Sequence, residues 1–423
     1  MLYYLYDLLT ILALVVLTPL RMFRRGGFPL LRRLGVGAGE YAKRCAGKKV
    51  IWLHAVSVGE VYSATVLLDL LRKQYPGYHI VFSAITPSGF SMAKGIAKGD
   101  MQVIYFPFDI GAIMRRYFAL LDPKLIVIIE SEIWPHFLRQ ANTHAIPVVV
   151  VNARISKRAL SRYIVFGMFA RRILGTIKLF CVQSQKDATR LRLLGVPQEK
   201  IALTGNMKFD VVYKRKDIQP PKLEPIFKIL EDFVVIIGGS THEPEEEVLV
   251  RVYSNLYKKY PRLRLIICPR HINRIAKIEK MLAHYGFTLL RRSEIAGGFG
   301  QHEVLLLDTF GELFYLYQCA SIVFIGGSLC KHGGQNPLEP ASYGKAIVFG
   351  RYMFNFFDIT HQLLSADAAF MISGEQELLK TVALLLEDES LRDNVGQNAL
   401  GYVMDHIGAS VKNIHLLEQL YTP

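Results

Sequence analysis

The chain reads as an α/β protein built from two Rossmann-like domains facing across a cleft. Three observations carry this reading. Short apolar runs of the kind that form strands buried on both faces recur along the chain and alternate with helical stretches. Polar and glycine-rich segments follow these runs, at the carboxyl ends of strands, where open α/β sheets bind ligands. A charged stretch holding Pro220, Pro221 and Pro225 separates one strand–helix series from the next. At 423 residues the chain is long enough for two cores. The expected division is a membrane anchor at 1–25, a first domain at 26–212, a linker at 213–230 and a second domain with C-terminal helices at 231–423.

Composition narrows the function classes. Hydrophobic content of 51% excludes a disordered chain, whereas the net charge of +15 points to nucleic acid, an anionic membrane or an acidic substrate. No basic arm or nucleic-acid module is present, and basic residues gather just after an apolar N-terminus, which favours the membrane and argues against nucleic acid. The five cysteines are odd in number and include no C-x-x-C pair. That speaks against disulfides and a zinc knuckle and fits a reducing compartment.

Residues 1–20 carry one charge, Asp7, and are followed by Arg21, Arg24, Arg25, Arg32, Arg33, Lys43 and Arg44. A secretory signal would place its basic residues first. The apolar run is short for a span, so spanning and interfacial anchoring both stay open, with a buried core helix as the bland alternative. The positive-inside rule places the rest of an anchored chain in the cytoplasm. Gly35, Gly37 and Gly39 follow no strand and lack the spacing of a dinucleotide fingerprint.

From Lys49 the α/β pattern begins. Val50 to Leu53 reads as a strand and Val61 to Gln74 as a helix, joined by His54-Ala55-Val56-Ser57-Val58-Gly59-Glu60. Ser57 and Glu60 have capping-box spacing, which alone accounts for Glu60. Glu60 also lies at the carboxyl end of a strand, with His54 close by. Further strands are expected at His79–Ser83, Leu125–Ile129, Val148–Val151, Phe180–Val182 and Ile201–Leu203. Glu130 and Glu132 follow the third strand and suit acid/base or electrostatic work. If that strand continues they point to opposite faces, leaving one for the cleft. Lys208, after the last strand, is a cation at the end of the domain or simply a solvated lysine.

The second series opens at Phe233–Ile237 and runs into Gly238-Gly239-Ser240-Thr241-His242-Glu243-Pro244-Glu245-Glu246-Glu247. This is a phosphate or sugar cradle, or else a helix start with favourable first-turn charges. Leu263–Ile267 leads to Arg270, placed to grip a phosphate, and Val304–Leu307 leads to Asp308-Thr309-Phe310-Gly311-Glu312. Ile322–Ile325 then breaks at Gly326-Gly327, and Gly333-Gly334 precede Asn336-Pro337-Leu338-Glu339-Pro340 and a strand at Ala346–Phe349. Glycines there permit close approach of backbone to ligand or ordinary tight packing. Asn336 and Glu339 favour a nucleotide site, with the carboxylate on ribose hydroxyls. No Walker A spacing, H-E-x-x-H or Asp-x-Asp pair occurs, so a P-loop NTPase and a metal-bridged diphosphate donor lack their residues.

Taken in order, HAVSVGE (54–60), ESEIWP (130–135), NARIS (152–156), GNMKFD (205–210), GGSTHEPEE (238–246), PRH (269–271), DTFGEL (308–313) and GGSL…GGQNPLEP (326–340) resemble the 3-deoxy-D-manno-octulosonic acid (Kdo) transferases of lipopolysaccharide synthesis. The resemblance implies a GT-B glycosyltransferase at the cytoplasmic face of the inner membrane, moving Kdo from CMP-Kdo to the 6′-hydroxyl of a lipid A precursor. Inversion at the anomeric carbon, no metal and no cofactor beyond the donor are implied with it. It further implies Glu60 as general base and Glu130 and Lys208 as transition-state stabilisers. CMP would be held by Pro269 and Arg270, by Phe310, Gly311 and Glu312, and by Asn336, Pro337, Leu338 and Glu339. A helix start at Glu60 is expected to favour the ionised base. One departure is Gln335, where the family pattern has His, so a proton-bearing role is lost at that position. The rivals are a GT-B enzyme with another nucleotide sugar and a membrane-tethered binding protein without catalysis.

Overall fold

In the computed structural model, residues 2–22, 29–218, 223–294 and 303–421 are described. The chain divides into two compact units, one formed by 1–211 with 407–423 and the other by 212–406.

Among the described residues the first unit holds a parallel sheet of seven strands: β1 (Lys49–His54), β2 (Tyr78–Ala84), β3 (Gln102–Tyr105), β4 (Pro123–Ile129), β5 (Val148–Ala153), β6 (Leu179–Val182) and β7 (Ile201–Leu203). Their order is β3-β2-β1-β4-β5-β6-β7. Successive side chains of a strand point to opposite faces, and both faces here are apolar. Val50 and Trp52 enter one core layer with Phe118 and Phe137, whereas Ile51 and Leu53 enter the other with Leu67 and Leu71. The chain runs outward from β1 to β3, returns to β4 beside β1, then runs the other way. The switch point therefore lies between β1 and β4.

The second unit repeats the plan with β8 (Val234–Thr241), β9 (Leu263–Pro269), β10 (Thr288–Arg291), β11 (Glu303–Leu306), β12 (Ile322–Ile325), β13 (Ala346–Gly350) and β14 (Phe370–Ile372). Their order is β10-β11-β9-β8-β12-β13-β14, all parallel, so the switch point lies between β8 and β12.

Two expectations about domain limits change. Of the expected linker, 213–215 end the helix Lys208–Arg215 and Glu224–Leu230 is a second helix, while 219–222, with Pro220 and Pro221, lie outside the described residues. The last helix, Ala409–Leu420, belongs to the first unit, where Ala409, Ile414 and Leu417 join the layer that covers Ile51 and Leu53. Asp210 fixes its start by accepting from the N–H groups of Gly408 (2.5 Å) and Ser410 (2.6 Å). An amphipathic helix follows the apolar surface that accepts it, whatever its place in the chain.

The N-terminal apolar run is a helix, Leu2–Met22. Among the described residues no helix is long and apolar enough to cross a membrane. Tyr3, Tyr6 and Asp7, at helical spacing, face the first unit. The two tyrosines pack on His136 (5.3 and 5.6 Å) and Arg139 lies over Tyr3. Asp7 accepts from Gly111 N–H at 3.1 Å and lies 2.8 Å from His136 Nε2. A side chain at Gly111 would meet His136 at 3.1 Å and Asp7 at 3.3 Å, so a larger residue there would press on both docking partners. The one charge in the apolar run is thus a docking group. The other face, with Leu5, Leu8, Leu9, Leu12, Val15 and Val16, is exposed.

Candidate active site

In the first unit β1 and β4 are neighbours, and both deliver glutamates at the switch point, where an open α/β sheet leaves a crevice. The segment after β1 turns at Ser57, the N-cap of the helix Val58–Ser63, whose Oγ accepts from Glu60 N–H. Glu60 reaches back: Oε2 accepts from Val56 N–H (2.7 Å) and Oε1 from Ser57 Oγ (3.0 Å). These bonds orient a carboxylate that is only 9% exposed. Burial pushes its carboxyl up to about 7, Glu130 and Glu132 push the same way, and the Val56 and Ser57 bonds oppose them. The expected ionisation by the helix start is therefore outweighed, because burial away from water costs a carboxylate more than one turn of helix returns. A base titrating near neutrality is suited to proton abstraction.

β4 ends at Ile129, and Glu130 donates its N–H to Val151 O (2.9 Å) with φ at +64°, a left-handed turn. The strand does not continue through Glu130 and Glu132, so the alternation that would have sent one of them away does not apply. Both stand close enough to Glu60 to raise its carboxyl. Glu132 itself is pushed up to about 7, first by burial and then by Glu130, with Arg162 and Trp134 opposing. The sequence marked Glu130 and Glu132 as a pair and expected only one of them in the cleft; the turn at Glu130 brings both near Glu60.

His54 is turned inward. Its Nδ1 is 2.9 Å from Ser83 Oγ, its ring stacks on Phe106 at 4.0 Å, and burial lowers its pKa to about 3. It is a neutral core histidine. Lys208 opens the helix Lys208–Arg215 after β7, a strand four places from β1 and so roughly 19 Å away. Asn152, at the end of β5 with φ at +54°, accepts from Met207 N–H (3.0 Å) and draws that segment back over the sheet. Asn206 Oδ1 accepts from Lys208 N–H (3.0 Å). Asn152 thus sets where Lys208 stands.

In the second unit the expected nucleotide residues collect at the carboxyl ends of β8, β9, β11 and β12. Thr241 pairs with Pro269 in the β8–β9 ladder, and Arg270 N–H donates to Thr241 O (2.9 Å). Glu339 lies in the short helix Leu338–Ser342. Burial raises its carboxyl, while Arg215, Asn336 and Arg270 oppose that rise. Asn336 Oδ1 accepts from Leu338 N–H (3.2 Å), and Pro337 occupies the N-cap. Glu312 is held by Arg292 (Nε to Oε2, 2.9 Å) and Thr309 (2.5 Å). Gly311 has φ at +83°, and Phe310 presents a ring that is 83% exposed. Arg215, missed in the sequence, reaches Gly311 O and covers the Phe314 ring at 4.5 Å.

The glycine segments also pack backbone on backbone. A side chain at Gly326 would meet Ser240 O at 2.2 Å, so the segments after β8 and β12 touch there. Glu245 fastens them, accepting from the N–H groups of His242 (2.9 Å), Gly327 (2.7 Å), Ser328 (2.8 Å) and Leu329 (2.9 Å). The expected favourable first-turn charge is a fully committed carboxylate.

Comparison with known proteins places the chain in a family. Residues 30–211 match the family described as 3-deoxy-D-manno-octulosonic-acid transferase (kdotransferase). The chain is 32% identical over 390 residues to the 3-deoxy-D-manno-octulosonic acid transferase of Haemophilus influenzae, covering 92% of this chain and 91% of that one. It is 28% identical to the transferase of the same name from Bordetella pertussis, over 87% and 86% of the two chains. Among solved structures, the UDP-GlcNAc 2-epimerase of Neisseria meningitidis superposes with a TM-score of 0.63 at 16% identity over 88% of this chain and 100% of that one, a likeness of fold alone. The chain belongs to the 3-deoxy-D-manno-octulosonic acid transferases, a family of glycosyltransferases.

Proposed function

We propose that this enzyme moves Kdo from CMP-Kdo to the 6′-hydroxyl of a lipid A precursor, with inversion and without a metal. It works as a GT-B enzyme whose first unit serves the acceptor and whose second unit holds the donor. The observation that carries this reading is Glu60: a buried, doubly hydrogen-bonded carboxylate at a sheet switch point, held at about 7. Glu60 takes the proton of the acceptor hydroxyl. The freed oxygen lone pair forms the new bond to the anomeric carbon from the face opposite the phosphate, and the carbon–oxygen bond to phosphate breaks with its electron pair leaving on CMP. One displacement inverts the centre. Glu130 offsets positive charge developing on the sugar, and Lys208 offsets negative charge on the departing phosphate.

Pro269 and Arg270 contact the phosphate, while Phe310, Gly311 and Glu312 and the segment Asn336, Pro337, Leu338 and Glu339 hold the nucleoside, with Glu339 on ribose hydroxyls. A single phosphate calls for fewer cations than a diphosphate, so arginine suffices in place of a metal. The enzyme sits at the cytoplasmic face of the inner membrane through the helix Leu2–Met22, whose exposed apolar face supports an interfacial position.

The test is to incubate the protein with CMP-Kdo and tetraacylated lipid A precursor and read lipid masses. A gain of one or more Kdo units that survives EDTA and is lost in Glu60→Gln is expected. No product from folded protein that binds CMP would replace the donor or acceptor, and product from Glu60→Gln at the wild-type rate would leave Glu60 as a helix cap.

A further inference from the structure

Beside the residues proposed for CMP, the second unit gathers three histidines that no part of the proposed mechanism uses. His242 follows β8, His271 follows β9, and His332 lies in the segment after β12. The His242 ring stacks on His332 at 4.2 Å with the planes 17° apart, and meets His271 edge-on at 5.6 Å. His242 is only 9% exposed, whereas His271 and His332 are exposed above it. Its Nε2 is buried and has no hydrogen-bond partner among the described residues. Leaving a buried polar atom unpaired is costly, so such atoms call for a reason.

The surroundings say what would satisfy it. Burial holds the His242 pKa down first, His332, His271 and Arg270 push the same way, and Glu246 opposes them. The nearby carboxylates are spoken for. Glu245 takes four backbone N–H groups, and Glu246 takes Arg274 (2.6 and 3.1 Å) and Thr241 Oγ1 (3.0 Å). Arg270 therefore stands beside one buried, unpaired imidazole nitrogen, at the carboxyl end of the strand that borders the switch point. The Glu245 clamp fixes both segments that bring His242 and His332 together.

We propose that His242, flanked by His332, His271 and Arg270, is an oxyanion-binding subsite for the donor, taking either its nucleotide phosphate or its sugar carboxylate. The inference rests on the reading of the second unit as a CMP-Kdo site. An oxyanion there supplies the missing partner to His242 Nε2.

The test measures binding of CMP and of cytidine by calorimetry, and steady-state kinetics with CMP-Kdo, for wild type, His242→Asn and His332→Ala. If the subsite takes phosphate, His242→Asn weakens CMP by about tenfold to a hundredfold, as for loss of one charge-assisted hydrogen bond, and leaves cytidine unchanged. If it takes the sugar carboxylate, CMP binding is kept and KM for CMP-Kdo rises by a similar factor. His332 is exposed, so His332→Ala preserves the fold and gives the same pattern more weakly; it decides the matter if His242→Asn no longer binds cytidine. CMP affinity and KM both unchanged in the variants would overturn the subsite alone. Wild type that binds neither CMP nor cytidine would overturn the nucleotide reading and the subsite with it.

Discussion

Glu60 and Glu132 share an environment that sets a pH dependence. Folding raises each carboxyl from 4.5 to about 7. Between those values the native protein holds more protons than the unfolded chain, so their contribution to stability is full below 4.5 and is lost as pH rises through 7. Catalysis runs the other way, because a base must be ionised. We expect kcat/KM to rise with pH and level off above about 7, with Glu60→Gln lower by about 10²–10⁴-fold at the plateau. Glu132→Gln removes one of the charges that hold Glu60 up. It should move the acidic limb of the profile to lower pH and raise stability at pH 8 by about 1–2 kcal/mol, with little effect at pH 4. A limb that stays in place would show that Glu132 does not act on Glu60. The local bonds of Glu60 were legible in its capping-box spacing with Ser57, whereas its role as a base came from the family resemblance of the block at 54–60. The convergence of three glutamates was not legible, because it depends on the left-handed turn at Glu130, which an L-residue adopts only in a context the local sequence does not announce.

At the scale of elements, the central strands were legible, and of the four edge strands only β7, at Ile201–Leu203, was. β1, β4, β5, β8, β9, β12 and β13 carry near-continuous Val, Ile and Leu runs because both of their faces are covered. β3, β10 and β14 escaped, and all three lie at sheet edges with residues such as Gln102, Thr288 and Arg291. An edge strand pairs on one side only and is not held to an apolar run. The loops between central strands obey a different rule, since Glu245 replaces side-chain packing by four backbone hydrogen bonds. Glu245→Gln keeps the shape but puts an NH2 donor against N–H donors. We expect a loss of about 2–4 kcal/mol in urea unfolding of the second unit and weaker CMP binding, while Leu249→Ile as a nearby packing control keeps CMP affinity. The N-terminal helix makes a separate prediction. Its bound face is fixed by Asp7, Tyr3 and Tyr6, so Leu8→Asp with Leu12→Asp alters only the exposed face. Sedimentation with anionic vesicles should fall severalfold in that variant with circular dichroism unchanged; equal sedimentation would remove this face from membrane attachment.

At the scale of the molecule, composition and strand–helix alternation foretold two α/β units, but not which unit owns the end of the chain. The last helix reads as one more helix of the second unit because it follows two others, Glu375–Glu387 and Glu389–Asp405. What assigns it is distant in sequence. Asp210 caps it, Ile414 and Leu417 join the core layer beside the helix Thr65–Gln74 and β5, and Tyr75 and Tyr78 hold Tyr421 through bonds of 3.0 Å each. Removing it would open the core layer that also holds Ile51, Leu53 and Leu67, and would leave Asp210 without its two N–H donors. Burial of a Leu or Ile side chain contributes about 1.5–3 kcal/mol, so losing Ile414 and Leu417 together with the cap removes several kcal/mol, comparable with the whole stability of many domains. A chain ending at His406 should therefore unfold or aggregate through its first unit, with exchange-protected amides lost across β1 and β2, while the second unit keeps its protection and its affinity for CMP. Because the second unit keeps all of its own strands in that truncation, loss of protection there instead would mean that the final helix stabilises the second unit and not the first.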